Sequence, residues 1–577
     1  MATDAPWLTH PVRGLRGPVP WAAVLRAGCG VGPVVAGAVA ADVVAVGVMA
    51  GLGAMFATIN DRPGRQGARG VRVGVPALGG ALGAVAGALV AAYLPGWWAV
   101  PALAATGVVA GAVSAVGPVA SATGMQLMVL AVVGAGMHLE LPPLARGAAL
   151  LGGAGWVVAV GALLPRPLRS AADGREVVAA VYDALGALLA AVGRGPEAAE
   201  AARRRLTAAY DGAYQALYAH RGTRPPAALR ARLDVAGALS EAAVTLMWEA
   251  RHGAPGPALD ARVVGMPGRL ASAVRRGGPA GPLAAPAPDT AGRAALHRAA
   301  LLAAGVFDGD AAPPVGAVGP GAGDYLRRAA GPAGREYGAR VAVTVAAASA
   351  VALWIGADHW YWLPATAAFL VKPDMGPLFS RAVTRAFGTL AGVLVFAALS
   401  AVAVGDRAVL VAAGAAALIP VAQRNFALQT AAVTPLLLAL LQLGGQPSAT
   451  WARLTDTLLA CAVVLAVGLV PGLGGPRAQV SVRMALAERS VRAYGARTRA
   501  GEAEFAVRLR LRREAYRALA DARRTVETAS AEHPPFGRDS AGLLPVVTEL
   551  ERAVDAATAA VVRREQGTTG RRSLTLT

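Results

Sequence analysis

Apolar runs of membrane length alternate with short polar joints along two stretches of the chain. A helix needs about 20 apolar residues to cross about 30 Å of hydrocarbon. Six such runs lie before residue 166, at about 21–41, 43–59, 72–93, 97–116, 118–137 and 146–164. Six more lie at about 338–356, 360–371, 381–404, 407–421, 426–443 and 452–470. The eighth and tenth are short enough to tilt, break or cross only in part. Small residues punctuate the runs, as in Gly79-Gly80-Ala81-Leu82-Gly83, and such residues let membrane helices approach closely. The two polar regions also read as helical. Pro196 and Glu197 open a helix that continues through Arg203, Arg204, Arg205, Tyr210 and Tyr214. Glu502 and Glu504 open another, with Arg508 to Arg513 following. An acidic start and a basic continuation suit the helix dipole. The Pro/Gly-rich stretch 278–323 reads as a flexible linker around a short helix near 291–305.

Four segments follow: a six-span region at 1–165, a helical polar region with its linker at 166–335, a second six-span region at 336–471, and a helical tail at 472–577. The halves resemble each other. Asn60-Asp61-Arg62-Pro63-Gly64 follows span 2, and Lys372-Pro373-Asp374-Met375-Gly376 follows span 8. Leu164-Pro165 and Val470-Pro471 close spans 6 and 12, and Tyr210 and Tyr516 share their offset of 306 residues. The expected fold is therefore an all-α polytopic membrane protein. It has about twelve transmembrane helices in two parallel six-helix repeats, each followed by a cytoplasmic helical region. Parallel repeats of this kind form transporters with a central site.

Composition agrees. Of the 577 residues 55% are hydrophobic and only 16% charged, against about 25% charged in a soluble domain. An ordinary cytosolic enzyme and a disordered chain are both excluded. The net charge is +20, and every basic residue except Lys372 is arginine. A basic chain can bind nucleic acid. Here aromatics are 5%, and no zinc-finger, RNP or P-loop pattern occurs, so the arginines read as a membrane rim. With the N-terminus in the cytoplasm, sixteen basic residues flank the inner ends of the spans, Arg62, Arg65, Arg166, Arg335, Arg340 and Arg477 among them. Three flank the outer ends, Arg146, Arg407 and Arg453. Both polar regions and both termini then lie inside a cell (plasma) membrane. Arg13 and Arg16 precede a run ending Ala38-Val39-Ala40-Ala41, like a secretory signal, but Arg26 interrupts it, so span 1 reads as uncleaved. Tyr93, Trp97 and Trp98, and again Trp360, Tyr361 and Trp362, read as outer aromatic belts. Cys29 and Cys461 read as buried small hydrophobes rather than a disulfide or metal pair.

The sharpest chemistry follows span 8. Lys372, Arg381 and Arg385 would meet an anion as a positive funnel, and Asp374 stands among them to hold the bases or exchange a proton. Interface anchoring and helix capping are the plain alternatives. Asp61, Arg69 and Arg72 are the first-half counterparts. Arg453 and Asp456, three apart at the start of span 12, can pair on one helix face as a clasp or a gate. Asp42 and Gln423-Arg424-Asn425 read as turn and loop, and His138 and His359 as rim histidines. No Ser/His/Asp set, metal-ligand spacing or Walker motif stands out, so neither an enzyme, a cofactor nor an ATP-driven pump is expected.

The run Tyr361-Trp362-Leu363-Pro364, then Lys372-Pro373-Asp374, then Arg381 to Gly392 resembles the fusaric acid resistance (FUSC-type) family of inner-membrane proteins, as does Arg453-Leu454-Thr455-Asp456-Thr457. The layout of six spans, soluble region, six spans and soluble region is similar too. The resemblance implies an aromatic acid exporter-like efflux transporter. It also extends to a plant malate-channel branch, where the activity is channel-like. Proton-driven export of organic acids, a passive anion channel and a non-transporting scaffold therefore remain as readings. The expected partners are the lipid bilayer, a small organic anion and, as one option, a second copy of the chain; nucleic acid is not expected.

The charge bias makes a prediction. Cysteines introduced near residues 310 and 570 should resist impermeant thiol reagents applied to intact cells, and labelling at both would invert the orientation.

Overall fold

Every apolar run becomes a helix, and the polar joints stop it. The computed structural model describes residues 19–61, 66–163, 170–218, 227–253, 258–309, 322–372, 378–402, 408–423, 425–445, 449–470, 476–500, 504–530 and 541–574. Arg13, Arg16, Arg62, Arg65, Arg166, Asp374, Arg407 and Arg424 lie outside them. The chain opens with α1 (Trp21–Ala40), α2 (Val44–Asn60), α3 (Gln66–Tyr93), α4 (Ala99–Ser114), α5 (Pro118–Gly136) and α6 (Pro143–Leu163). Next come α7 (Ser170–Ala191), α8 (Pro196–Tyr218), α9 (Ala227–His252), α10 (Ala261–Val264), α11 (Met266–Arg276), α12 (Ala291–Asp308) and α13 (Ala322–Ala329). Then α14 (Pro332–Trp354), α15 (Trp362–Val371), α16 (Leu378–Val402), α17 (Ala408–Ala422), α18 (Phe426–Leu443) and α19 (Ala449–Leu469) complete the apolar helices. The tail holds α20 (Pro476–Ala500), α21 (Phe505–Ser530) and α22 (Leu544–Leu574). No strand occurs among the described residues. The protein is an all-α, multi-pass membrane protein.

The joints are chemically legible. Asp42, at φ 54°, turns the chain between α1 and α2 in the left-handed region, which a short polar side chain tolerates. Asn425 caps α18 by accepting from the Ala427 and Leu428 amides. α15 stops at Lys372 because the residue before a proline is turned away from the helical region. It has only 10 residues, about 15 Å at 1.5 Å per residue, half the hydrocarbon thickness.

Two compact units emerge. The first is Met1–Pro167, Gly321–Gln479 and Thr528–Asp539; the second is Leu168–Pro320, Val480–Glu527 and Ser540–Thr577. In the first unit each half pairs its helices alike. α1 packs on α2, α2 on α6, α3 on α5 and α6, and α4 on α5; likewise α14 on α15, α15 on α19, α16 on α18 and α19, and α17 on α18. Across the halves α4 meets α14 and α1 meets α17, while α5 meets α15 and α2 meets α18. Glycine sets these distances. A Cβ on Gly153 would overlap the Ala50 carbonyl, and one on Gly53 would overlap that of Leu150, so α2 and α6 touch backbone to backbone. Leu78, Leu82, Leu410 and Leu418 are exposed, as a lipid-facing surface requires.

One aromatic expectation is overturned. Tyr93, Trp97 and Trp98 are exposed at 77%, 58% and 71%, but Tyr361 and Trp362 are only 1% and 3% exposed. α15 is enclosed by α5, α14, α16 and α19, and Gly136 at the end of α5 lets the Tyr361 ring lie directly against it. Cys29 also departs from expectation and is exposed, while Cys461 is buried with its Sγ 3.5 Å from the Ala382 carbonyl. Among the described residues ten helices are long and apolar enough to span a membrane. One of them, Gly174–Arg194, belongs to the second unit, where Val178, Tyr182 and Leu185 form its core. Its apolarity serves burial within a bundle.

The second unit joins the two polar regions through buried ion pairs. Arg203 of α8 reaches Glu551 at 2.5 Å and Asp555 at 3.4 Å on α22, and Tyr516 of α21 donates to Asp555. In the converse pairing, Arg508 and Arg512 of α21 each reach Glu241 of α9 at 3.3 Å. Burial pushes Arg203 down, but Asp555, Tyr516 and Glu551 outweigh it and hold the guanidinium charged. Asp234 on α9 is the opposite case. Burial pushes its carboxyl up to about 6 against the pull of Arg230 and Arg513, and its Oδ2 has no hydrogen-bond partner. A carboxyl raised in the fold contributes stability that is full below its unfolded value, about 3.9, and is lost as pH rises through about 6. Asp234→Asn should therefore raise the melting temperature of the full-length protein near pH 7.5 and leave it unchanged near pH 4. No gain near pH 7.5 would contradict this.

Candidate functional site

The expected site residues separate into two groups. In the first half they close on one another. Arg69, at the start of α3, donates from Nε to Asp61 Oδ1 at 2.7 Å and from Nη2 to Asp61 Oδ2 at 2.9 Å. The same guanidinium donates to the Val157 and Val158 carbonyls of α6 at 2.9 and 3.1 Å, lying flat on Gly161 where no Cβ would fit. Arg26 of α1 lies 3.9 Å from the same carboxylate. Arg72 is one turn along α3. Arg146, counted from sequence only as a rim charge, donates to the carbonyls of Gly134, Met137, Leu139 and Leu141 and so ties α6 to the end of α5. These arginines fasten helix ends.

In the second half the arginines enter the bundle. Arg381, Arg385 and Arg453 are 5%, 6% and 2% exposed. They are distributed along the short helix α15. At its far end Arg453 Nη1 donates to Thr366 Oγ1 at 3.1 Å, and the guanidinium lies 4.2 Å from the centroid of the Trp362 ring. Further along, the Arg385 guanidinium lies 5.3 Å from the Phe369 ring, and Nη1 is 3.5 Å from Thr430 Oγ1 of α18. At the near end Arg381 donates to the Lys372 carbonyl. The three cations thus mark about 15 Å of one helix.

The bonding of Arg385 and Arg453 is sparse. Arg385 Nε, Arg453 Nε, Thr389 Oγ1 and Asp456 Oδ2 are all buried without a hydrogen-bond partner. Arg453 and Asp456 do not clasp one another as their spacing allows. The guanidinium turns to Thr366 and Trp362 on the neighbouring helix instead. Ionisable groups inside a membrane are costly, and they mark substrate pathways or relays when they persist. Phe369 and Thr430 belong to this site and were not singled out by sequence, while Thr366 and Thr389 stood in the sequence motif without a role of their own. Polar residues inside apolar helices were the available signal, and a threonine there is ordinarily silent because it bonds its own backbone. Among the described residues no cluster of three His, Cys, Asp or Glu could hold a metal.

The contrast predicts different responses to mutation. Arg69→Ala removes both hydrogen bonds to Asp61 and should cost about 3–5 kcal/mol, read as a lower melting temperature. Arg453→Gln removes an under-bonded guanidinium and should leave the melting temperature unchanged or higher. Equal destabilisation by both would make Arg453 another fastening.

Residues 346–467 match a family model described as fusaric acid resistance protein-like. No curated protein matches the chain. No solved structure matches it either. The matched segment runs from within α14 through α15, α16, α17 and α18 nearly to the end of α19, and so contains all three site arginines. The second membrane half of this multi-pass protein thus carries a segment similar to the fusaric acid resistance protein-like family.

Proposed function

We propose that the protein is a transporter that moves organic anions, aromatic carboxylates among them, outward across the cell membrane. The drive is the electrochemical proton gradient, whose electrical part already pulls an anion out of an inside-negative cell. The observation carrying this reading is the ladder of Arg381, Arg385 and Arg453 along α15. A carboxylate leaving one arginine meets the next within a helix half as long as the membrane is thick. Guanidinium forks match carboxylates in geometry, and the Phe369 and Trp362 faces offer apolar contact to an aromatic body. In this reading Lys372 stands at the cytoplasmic mouth and Arg453 at the outer one, and Asp374 follows Lys372 by two residues in the sequence. The two halves act as parallel copies in which the first is the frame, a view supported by their matching helix pairings.

Inverted vesicles with an interior-positive potential should take up labelled benzoate. Arg385→Gln and Arg453→Gln should each slow the initial rate about tenfold or more at matched protein level. Asp374→Asn should weaken uphill transport while keeping exchange. Wild-type rates in both arginine variants would remove the ladder from the mechanism. Flux that follows the potential with no proton movement would identify a passive channel.

A further inference from the structure

Asp456 has no part in the ladder as described. It lies one turn beyond Arg453 on α19, 4% exposed, with its Oδ2 unpartnered. A clasp would close on itself, as Asp61 and Arg69 do. Here both the carboxylate and the nearby guanidiniums keep unused hydrogen-bonding capacity.

The charges around Asp456 can be named helix by helix. α14, α15, α16 and α18 pack on α19. α16 brings Arg385, with Arg381 at its start, and the turn leading into α15 brings Tyr361. α19 itself adds Arg453 and Cys461. α18 and the Val341–Trp354 stretch of α14 contain no titratable side chain, while Arg335, Glu336, Tyr337 and Arg340 lie in the opening turns of α14. His359, next to Asp358, packs edge-on against Tyr361 with ring centroids 6.2 Å apart. Arg385, Arg453 and ionised Asp456 together carry one net positive charge, and protonation of Asp456 makes it two.

We propose that Asp456 is a proton-operated brake on anion binding: ionised, it offsets the field of Arg453 and Arg385, and protonated, it leaves both arginines to the anion. This rests on the transporter reading above. Linkage is reciprocal, so a bound anion also draws a proton onto Asp456. Proton and anion then favour each other. Because binding is tighter at lower pH, this coupling sets how firmly the anion is held and not the direction in which it moves.

Calorimetric titration of benzoate, a carboxylate ionised throughout the range used, into the full chain in lipid nanodiscs tests this. Wild type should bind about tenfold or more tightly near pH 5.5 than near pH 8. It should also take up protons on binding, read by comparing buffers of different ionisation heat. Asp456→Asn should bind tightly at both pH values with no proton uptake, and His359→Gln should keep the wild-type profile. An unchanged profile in Asp456→Asn, or loss of the profile in His359→Gln, overturns the brake while leaving anion binding intact. Should Asp456→Asn not assemble, wild-type proton uptake decides, and its absence overturns the brake. No benzoate binding by wild type at either pH removes the transporter reading itself, and the brake with it.

Discussion

A guanidinium inside hydrocarbon has to be met by carbonyls, a carboxylate, an aromatic face or a ligand, because water is not there to meet it. This demand arranges the first unit. Arg69 and Arg146 satisfy it within the protein, through one carboxylate and a set of helix-end carbonyls. Arg385 and Arg453 satisfy it only in part, with one threonine and one aromatic ring each. The same residue type therefore holds the frame in one half and leaves binding capacity in the other.

The short helix α15 makes this possible. A full-length span would present its side chains to neighbours across the whole membrane. A ten-residue helix enclosed by four others brings α16 and α19 close to its two ends, so their arginines reach inward. Glycine at the contacts is the enabling condition. Gly388 of α16 lies against the Ala427 carbonyl and Thr430 of α18, which places Arg385 one turn earlier beside Thr430. A larger residue at Gly388 would push α16 and α18 apart and withdraw that arginine.

The second unit handles buried charge differently. Its core is rich in alanine, and small side chains bury little apolar surface each. Crosswise pairs between α8 and α22, and between α21 and α9, tie segments more than 250 residues apart in sequence. Buried pairs add little net stability, yet breaking one is expensive, so they specify which helices associate.

The sequence alone determined the all-α, multi-pass character of the chain and the FUSC-type resemblance. Apolar length and polar joints are local properties, written residue by residue around Asp42, Asn425 and the Lys372-Pro373 step. Arg381, Arg385 and Arg453 were legible as candidates because arginine in an apolar run is conspicuous. Tertiary structure alone decided which arginines are satisfied. Asp61 with Arg69 and Asp456 with Arg453 look alike as acid–base neighbours in sequence. The first pair closes at hydrogen-bond distance, whereas Arg453 turns to Thr366 and Trp362. The burial of Tyr361 and Trp362 was likewise invisible, since an aromatic run at a helix start reads as a belt until a neighbour covers it. Partner choice depends on which helices pack together, and that packing is set by glycine contacts between distant segments.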